Sequence, residues 1–108
     1  MNILKARKRL LNEKTFLQSV AIHPKKNIIV DSDDKQCQTI IFLLKLICSG
    51  KVELSLSLYN TVRTRVLFQR LVSDFEQGVL SSLNKQTRKN YIIKYLPIIS
   101  LLIEAVLE

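Results

Sequence analysis

The chain has 108 residues, of which 47% are hydrophobic and 24% charged, with two glycines, two prolines and no tryptophan. This composition is typical of one packed globular domain and excludes collagen-like and low-complexity sequences, so we expect a single domain over residues 1–108. Seventeen Lys and Arg residues against nine Asp and Glu residues give a formal net charge of +8. A balance this basic points to an acidic or phosphate-bearing partner.

The apolar residues within 3–21 recur at helical spacing, with basic residues on another face, and predict an amphipathic basic helix. The helix should end at His23, because a residue that precedes a proline is disfavoured in α conformation. Residues 25–30 are expected to form a connector. The acidic run 31–34 is suited to cap a helix over residues 34–49, which Gly50 should end. That helix is apolar on nearly every side, so we expect it at the centre of the fold.

Residues 52–58 alternate apolar and polar side chains, which is the period of a β-strand, and residues 90–96 are the plausible partner strand. The leucines of residues 52–58 favour a helix instead, so both structures remain open. Helical spacing resumes at Tyr59 and should stop at Gly78, and Thr87 can cap a last helix that runs to Leu107 with a kink near Pro97. The sequence therefore predicts an all-α protein, a bundle of four or five helices with a possible short two-stranded pairing.

Cys37 and Cys48 are the two cysteines, and both fall in the predicted helix 34–49. At 1.5 Å per residue they lie about 16 Å apart, beyond the ~7 Å that a disulfide can bridge, so we expect reduced thiols and a cytoplasmic protein. The longest uncharged apolar stretch, residues 95–103, is about half the length of a membrane-spanning helix, so no membrane span is expected.

Catalytic and metal-binding patterns are hard to find in this sequence. A zinc site needs about four Cys or His ligands at set spacings, whereas the chain has two cysteines and the single His23. Asp74 and Glu76 are two residues apart on a predicted helix, so their carboxylates point to different faces and cannot act as an acid/base pair. We predict a non-enzymatic protein with no metal, no cofactor and no small-molecule substrate.

Two stretches carry all of the excess positive charge. Residues 1–26 have a net charge of +6, and residues 63–94 have +5. Basic side chains on helices bind backbone phosphates by charge and counterion release, without reading the bases. We therefore predict contacts with RNA or single-stranded DNA backbone at Lys5, Arg7, Lys8, Arg9, Arg63, Arg65, Arg70, Lys85, Arg88 and Lys89. The alternative is that these charges only solvate amphipathic helices.

The C-terminal segment 92–107 carries only Lys94 and Glu104 as charged residues, so it is either core or faces a partner. In a monomer it would otherwise expose a large apolar patch. We predict a protein interface here, with another subunit or a second copy of the chain, at Ile98, Ile99, Leu102, Ile103 and Val106.

A short, basic, all-helical chain with two cationic patches and an apolar last helix resembles the helical small subunits of CRISPR effector complexes. The resemblance covers the whole chain as a profile, without a diagnostic motif. It rests on the apolar run from Ile98 to Leu107 and on the basic residues Lys5, Arg7, Lys8, Arg9, Arg63, Arg65, Arg70, Arg88 and Lys89. It implies a non-catalytic subunit that binds guide or target backbone without sequence specificity inside a larger ribonucleoprotein.

The segment from Asp74 to Gly78, followed by the basic stretch to Tyr91, is similar to the immunity proteins of pediocin-like bacteriocins. Those proteins are small cytosolic helical bundles that act on a protein partner. The apolar C-terminal end departs from the polar tail common in that family. The alternative function is a cytosolic helical immunity or protein-interaction module that acts on a protein partner.

Overall fold

The computed structural model describes the backbone of residues 3–50 and 56–107 and, within those ranges, the side chains of residues 8–50, 57 and 60–107. The described residues form eight α-helices and one 3-10 helix (Val79–Ser82), without a β-strand. In chain order the α-helices are α1 (Ile3–Asn12), α2 (Lys14–Ile22), α3 (Lys26–Val30), α4 (Asp34–Cys48), α5 (Leu56–Val62), α6 (Val66–Glu76), α7 (Lys85–Lys94) and α8 (Leu96–Leu107). The predicted all-α class is confirmed, with more and shorter helices than expected.

Helix α4 is the central helix, as the sequence predicts. The Asp33 side chain accepts a hydrogen bond of 2.7 Å from the Gln36 backbone N–H, and the Gln36 side chain accepts one of 3.1 Å from the Asp33 N–H. This capping box satisfies amides that the first turn leaves free. Gly50 follows the helix with a φ of +71°, a conformation that favours glycine. Buried residues lie on nearly every side of α4, and there are eight of them: Cys37, Thr39, Ile40, Ile41, Leu43, Leu44, Leu46 and Ile47.

Two helices that periodicity predicts as continuous are each broken. The first divides into α1 and α2 at Glu13, and the second divides into α5 and α6 at residues 63–65. Neither break contains proline or glycine. In both cases the two pieces pack against different neighbours, since α1 and α6 contact α4 whereas α2 and α5 contact α8. The predicted connector at residues 25–30 also contains the short helix α3, which buries Ile29.

The predicted two-stranded pairing is wrong for its second strand. Residues 90–96 belong to α7, to the turn at Tyr95 and to the start of α8. Residues 52–55 of the first predicted strand lie outside the described residues, and the following residues 56–58 begin α5. The helix propensity of leucine therefore outweighs the period-two pattern where the chain is described.

The last two helices meet at a sharp bend. Asn84, rather than Thr87, is the N-cap of α7, and Thr87 is its partner in a capping box. Helices α7 and α8 are separated at Tyr95 by a bend of 86°, and Pro97 stands in the first turn of α8, where its missing N–H costs no helical hydrogen bond. No single helix among the described residues has the length and hydropathy of a membrane span. The bent pair α7 and α8, taken as one segment, meets both criteria.

Helix α8 belongs to the core of the folded chain, which corrects the predicted protein interface. Ile98, Ile99, Leu102 and Ile103 are at most 3% exposed, and Val106 is half-buried against the same core. These residues are covered because α8 packs along α2 and also contacts α5 and α7. The lack of charge in residues 95–103 therefore reflects burial within one chain. Both cysteines are free thiols, as predicted from their spacing.

Candidate nucleic-acid interface

The N-terminal basic patch is exposed where its side chains are described. Lys8 and Arg9 lie on the solvent side of α1. The Arg9 guanidinium carbon lies 4.5 Å from the centroid of the Phe42 ring on α4, a cation–π contact that holds the side chain while leaving it accessible. Lys5 and Arg7 belong to α1, but their side chains lie outside the described residues. Among the described side chains of this patch, Lys8 and Arg9 are within reach of a phosphate.

The second basic patch centres on the turn between α5 and α6. Arg63 and Arg65 lie in this turn and Arg70 lies on α6, and all three side chains are exposed. None of them forms an ion pair with an acidic residue that the structure describes. The helix break places Arg63 in the turn before α6, so Arg63 and Arg70 do not share the single helix that the sequence predicts from Tyr59 to Gly78. We call Arg63, Arg65 and Arg70 the arginine patch.

The start of α6 adds backbone donors beside these arginines. Arg65 is the N-cap residue of α6, and its side chain makes no capping hydrogen bond. The first turn of α6 contains no acidic residue. The positive end of the α6 dipole therefore has the same electrostatic sign as the neighbouring guanidinium groups.

Two residues predicted to contact phosphate have structural roles instead. The Arg88 guanidinium donates to Asp34 Oδ1 and to the Leu83 carbonyl, both at 2.7 Å, and its side chain is 16% exposed. The Lys89 ammonium donates to the Val30 carbonyl at 3.0 Å. Both side chains therefore link α7 to the α3–α4 region. Of the predicted residues on α7, Lys85 remains exposed.

A polar cluster that the sequence did not predict lies between α6 and α7. The hydroxyls of Tyr91 and Tyr95 both donate to Asp74 Oδ2, at 3.2 and 3.0 Å, and the two ring centroids are 4.6 Å apart. Tyr95 is buried and Tyr91 is half-buried, so neither ring offers an open stacking surface. The signal in the sequence is the spacing of the tyrosines, four residues apart on one helix face, but the spacing does not reveal Asp74 as their acceptor.

Burial and the Asp74 charge together raise the pKa of Tyr91 and of Tyr95 above the ordinary tyrosine value of 10.0. The nearby Arg70 opposes this effect by lowering the pKa of Tyr95. Burial also raises the pKa of the half-buried Cys48 thiol to about 11, with a further contribution from the charge of Glu76. Both tyrosines and this thiol are therefore protonated at neutral pH, and the tyrosines act as hydrogen-bond donors.

The described residues bring no three His, Cys, Asp or Glu side chains together as a metal ion would need. The acidic run serves the fold, since Asp33 caps α4 and Asp34 pairs with Arg88. The chain matches no model of a known protein family, no curated protein and no solved structure.

Proposed function

We propose that the chain is a non-catalytic helical subunit that binds the sugar-phosphate backbone of nucleic acid without sequence specificity, inside a larger ribonucleoprotein of the kind that contains CRISPR small subunits. The observation that carries this proposal is the arginine patch. Its three side chains are exposed, and the described acidic residues leave all of them without an ion-pair partner.

The chemistry of the arginine patch is suited to phosphate. A guanidinium group presents donors in a planar fork that matches two phosphate oxygens, and its charge persists at every physiological pH. Such contacts fix a backbone in place and carry no base information. Since Tyr91 and Tyr95 are turned inward to Asp74, stacking of bases on these rings is not part of the proposal.

Three acidic side chains are occupied by contacts within the fold. Asp33 caps a helix, Asp34 pairs with Arg88, and Asp74 accepts hydrogen bonds from two tyrosines. Lys8 and Arg9 contribute a second exposed cationic site on α1. Water and a polyanion can therefore reach cationic side chains at both sites.

One small domain offers only a few phosphate contacts, so we expect weak binding alone and stronger binding when several subunits hold one strand. Because the apolar face of α8 is buried within the chain, we expect other subunits, or further copies of the chain, to contact another surface. The proposed setting is cytoplasmic.

The test is a binding titration of the whole chain with single-stranded RNA, single-stranded DNA and duplex DNA of equal length, each in two unrelated sequences, followed by fluorescence anisotropy. We expect binding at low salt that differs little between sequences. The triple variant R63E/R65E/R70E should lose most of the affinity for every oligonucleotide. Because exposed charges contribute little to stability, its circular dichroism spectrum should match that of the unaltered chain.

The matched control is Lys35→Glu, which reverses an exposed charge on α4 outside both patches. If affinity depended only on net charge, Lys35→Glu would lower it as much per reversed charge as the triple variant does. Absence of binding at low salt would overturn the proposal. A protein partner captured in its place would then favour a protein-interaction module.

A further inference from the structure

Arg70 and Asp74 are four residues apart on α6, which is the spacing at which opposite charges on an exposed helix meet. The two side chains nevertheless form no ion pair within 4 Å. The Asp74 carboxylate instead accepts two hydrogen bonds at Oδ2, one from the hydroxyl of Tyr91 on α7 and one from the hydroxyl of Tyr95 in the bend that follows α7. The residue best placed to neutralise Arg70 is thus engaged elsewhere.

The tyrosine donors are fixed by packing rather than by the carboxylate alone. Tyr95 is 2% exposed and lies at the bend between α7 and α8, and its ring contacts that of Tyr91 at 4.6 Å. Hydrogen bonds from such donors to an ionised acceptor are stronger than an exposed ion pair, which loses side-chain entropy and is screened by salt. An i, i+4 pair with the basic residue first is also the weaker orientation. The tyrosine hydroxyls, rather than the Arg70 guanidinium, therefore bind the Asp74 carboxylate.

We propose that Tyr91 and Tyr95 are positioning residues that hold the Asp74 carboxylate away from Arg70, and thereby keep the Arg70 guanidinium free to bind a backbone phosphate. The phosphate ligand in this proposal rests on the proposed function, whereas the competition between the tyrosines and Arg70 for Asp74 does not. Lys94 adds an exposed cation beside this cluster, since its ammonium lies 5.5 Å from the Tyr95 ring centroid.

The first test uses Y91F/Y95F, which keeps both rings and removes both hydroxyl donors. The released Asp74 should pair with Arg70, so affinity for single-stranded RNA should fall about two- to fivefold, as expected for one exposed charge contact. Adding Arg70→Gln to this variant should cause little further loss, whereas the same change in the unaltered chain should cause the full loss. The single variant Tyr91→Phe, altered at the half-buried ring only, should show the same effect in part, and it serves if the double variant does not fold.

Rescue separates an electrostatic role from a merely structural one. Y91F/Y95F/D74N should regain the affinity of the unaltered chain, because the freed carboxylate is gone. The matched control is Y91F/Y95F/E76Q, which removes a nearby exposed negative charge six residues from Arg70, out of reach of a helical pair. Equal rescue by both changes, or no rescue by Asp74→Asn, would overturn the proposal.

The competition is also measurable without nucleic acid, from solvent exchange of the Arg70 Nε–H in NMR spectra. We expect fast exchange in the unaltered chain, slowed exchange in Y91F/Y95F, and fast exchange again in Y91F/Y95F/D74N. If these rates follow that order but the chain binds no oligonucleotide, the proposed function fails while the competition for Asp74 stands. Exchange rates that are the same in all three proteins would overturn the inference, whatever the chain binds.

Discussion

Truncation of Leu102 to alanine should destabilise the protein strongly, because this side chain is fully buried in α8. The change removes three carbon atoms from the core. At about 0.8 kcal/mol per buried methylene the transfer term is roughly 2.4 kcal/mol, and the cavity left behind raises the total to about 3–5 kcal/mol. The free energy of unfolding is obtained from urea titrations followed by far-ultraviolet circular dichroism.

The matched control is Leu11→Ala, the same truncation at a leucine of α1 that is 63% exposed. It should cost about 0.5 kcal/mol or less. Both variants are measured at two widely separated protein concentrations. If α8 were an interface between chains, the unfolding midpoint of the unaltered protein would rise with concentration and Leu102→Ala would abolish that rise. A midpoint that rises with concentration only while Leu102 is intact, or equal costs for the two truncations, would refute the placement of α8 in the core.

Two further predictions concern α7. Arg88→Met should destabilise the fold by about 2 kcal/mol in urea titrations, because it leaves the carboxylate of Asp34 without its ion pair. The control Lys85→Met, an exposed change on the same helix, should be close to neutral, and equal effects of the two changes would contradict the structural role of the guanidinium. Because burial and the Asp74 charge raise the pKa of Tyr91 in the folded state, its contribution to stability should be complete below pH 10 and be lost as the pH rises further. Ultraviolet absorbance of tyrosinate should appear at lower pH in Asp74→Asn, and an unchanged titration would contradict the hydrogen bond.

The parts of the fold that are predictable from the sequence are those fixed by neighbours along the chain. Asp33 and Gly50 bound α4 through local hydrogen bonding and backbone conformation, and His23 ends α2 just before a proline. The breaks at Glu13 and at residues 63–65 have no such local signal. They follow from packing, since the helices on either side of each break contact different partners, and periodicity along one segment carries no information about those partners.

The lack of information about tertiary neighbours also explains which side-chain exposures the sequence could predict. Arg63 and Arg65 are exposed because they lie in the turn between α5 and α6. Arg70 is exposed for a different reason, as the pattern predicts, because an amphipathic helix turns its charges outward. Arg88 was expected to behave in the same way, but its partner Asp34 is 54 residues away along the chain, and only the tertiary fold brings them together. The apolar sequence of α8 satisfies core and interface equally well, so its burial could not be decided from composition.

The most direct test of nucleic-acid binding is the salt dependence of affinity for single-stranded RNA, measured for the unaltered chain and for R63E/R65E/R70E. Each phosphate neutralised should contribute about 0.7–0.9 to the slope of log affinity against log salt. With roughly four to eight phosphate contacts we expect a slope of about −3 to −7 for the unaltered chain, and a slope shallower by about 2 for the variant. Binding that does not weaken with salt, or an identical slope for both proteins, would contradict phosphate binding by the arginine patch.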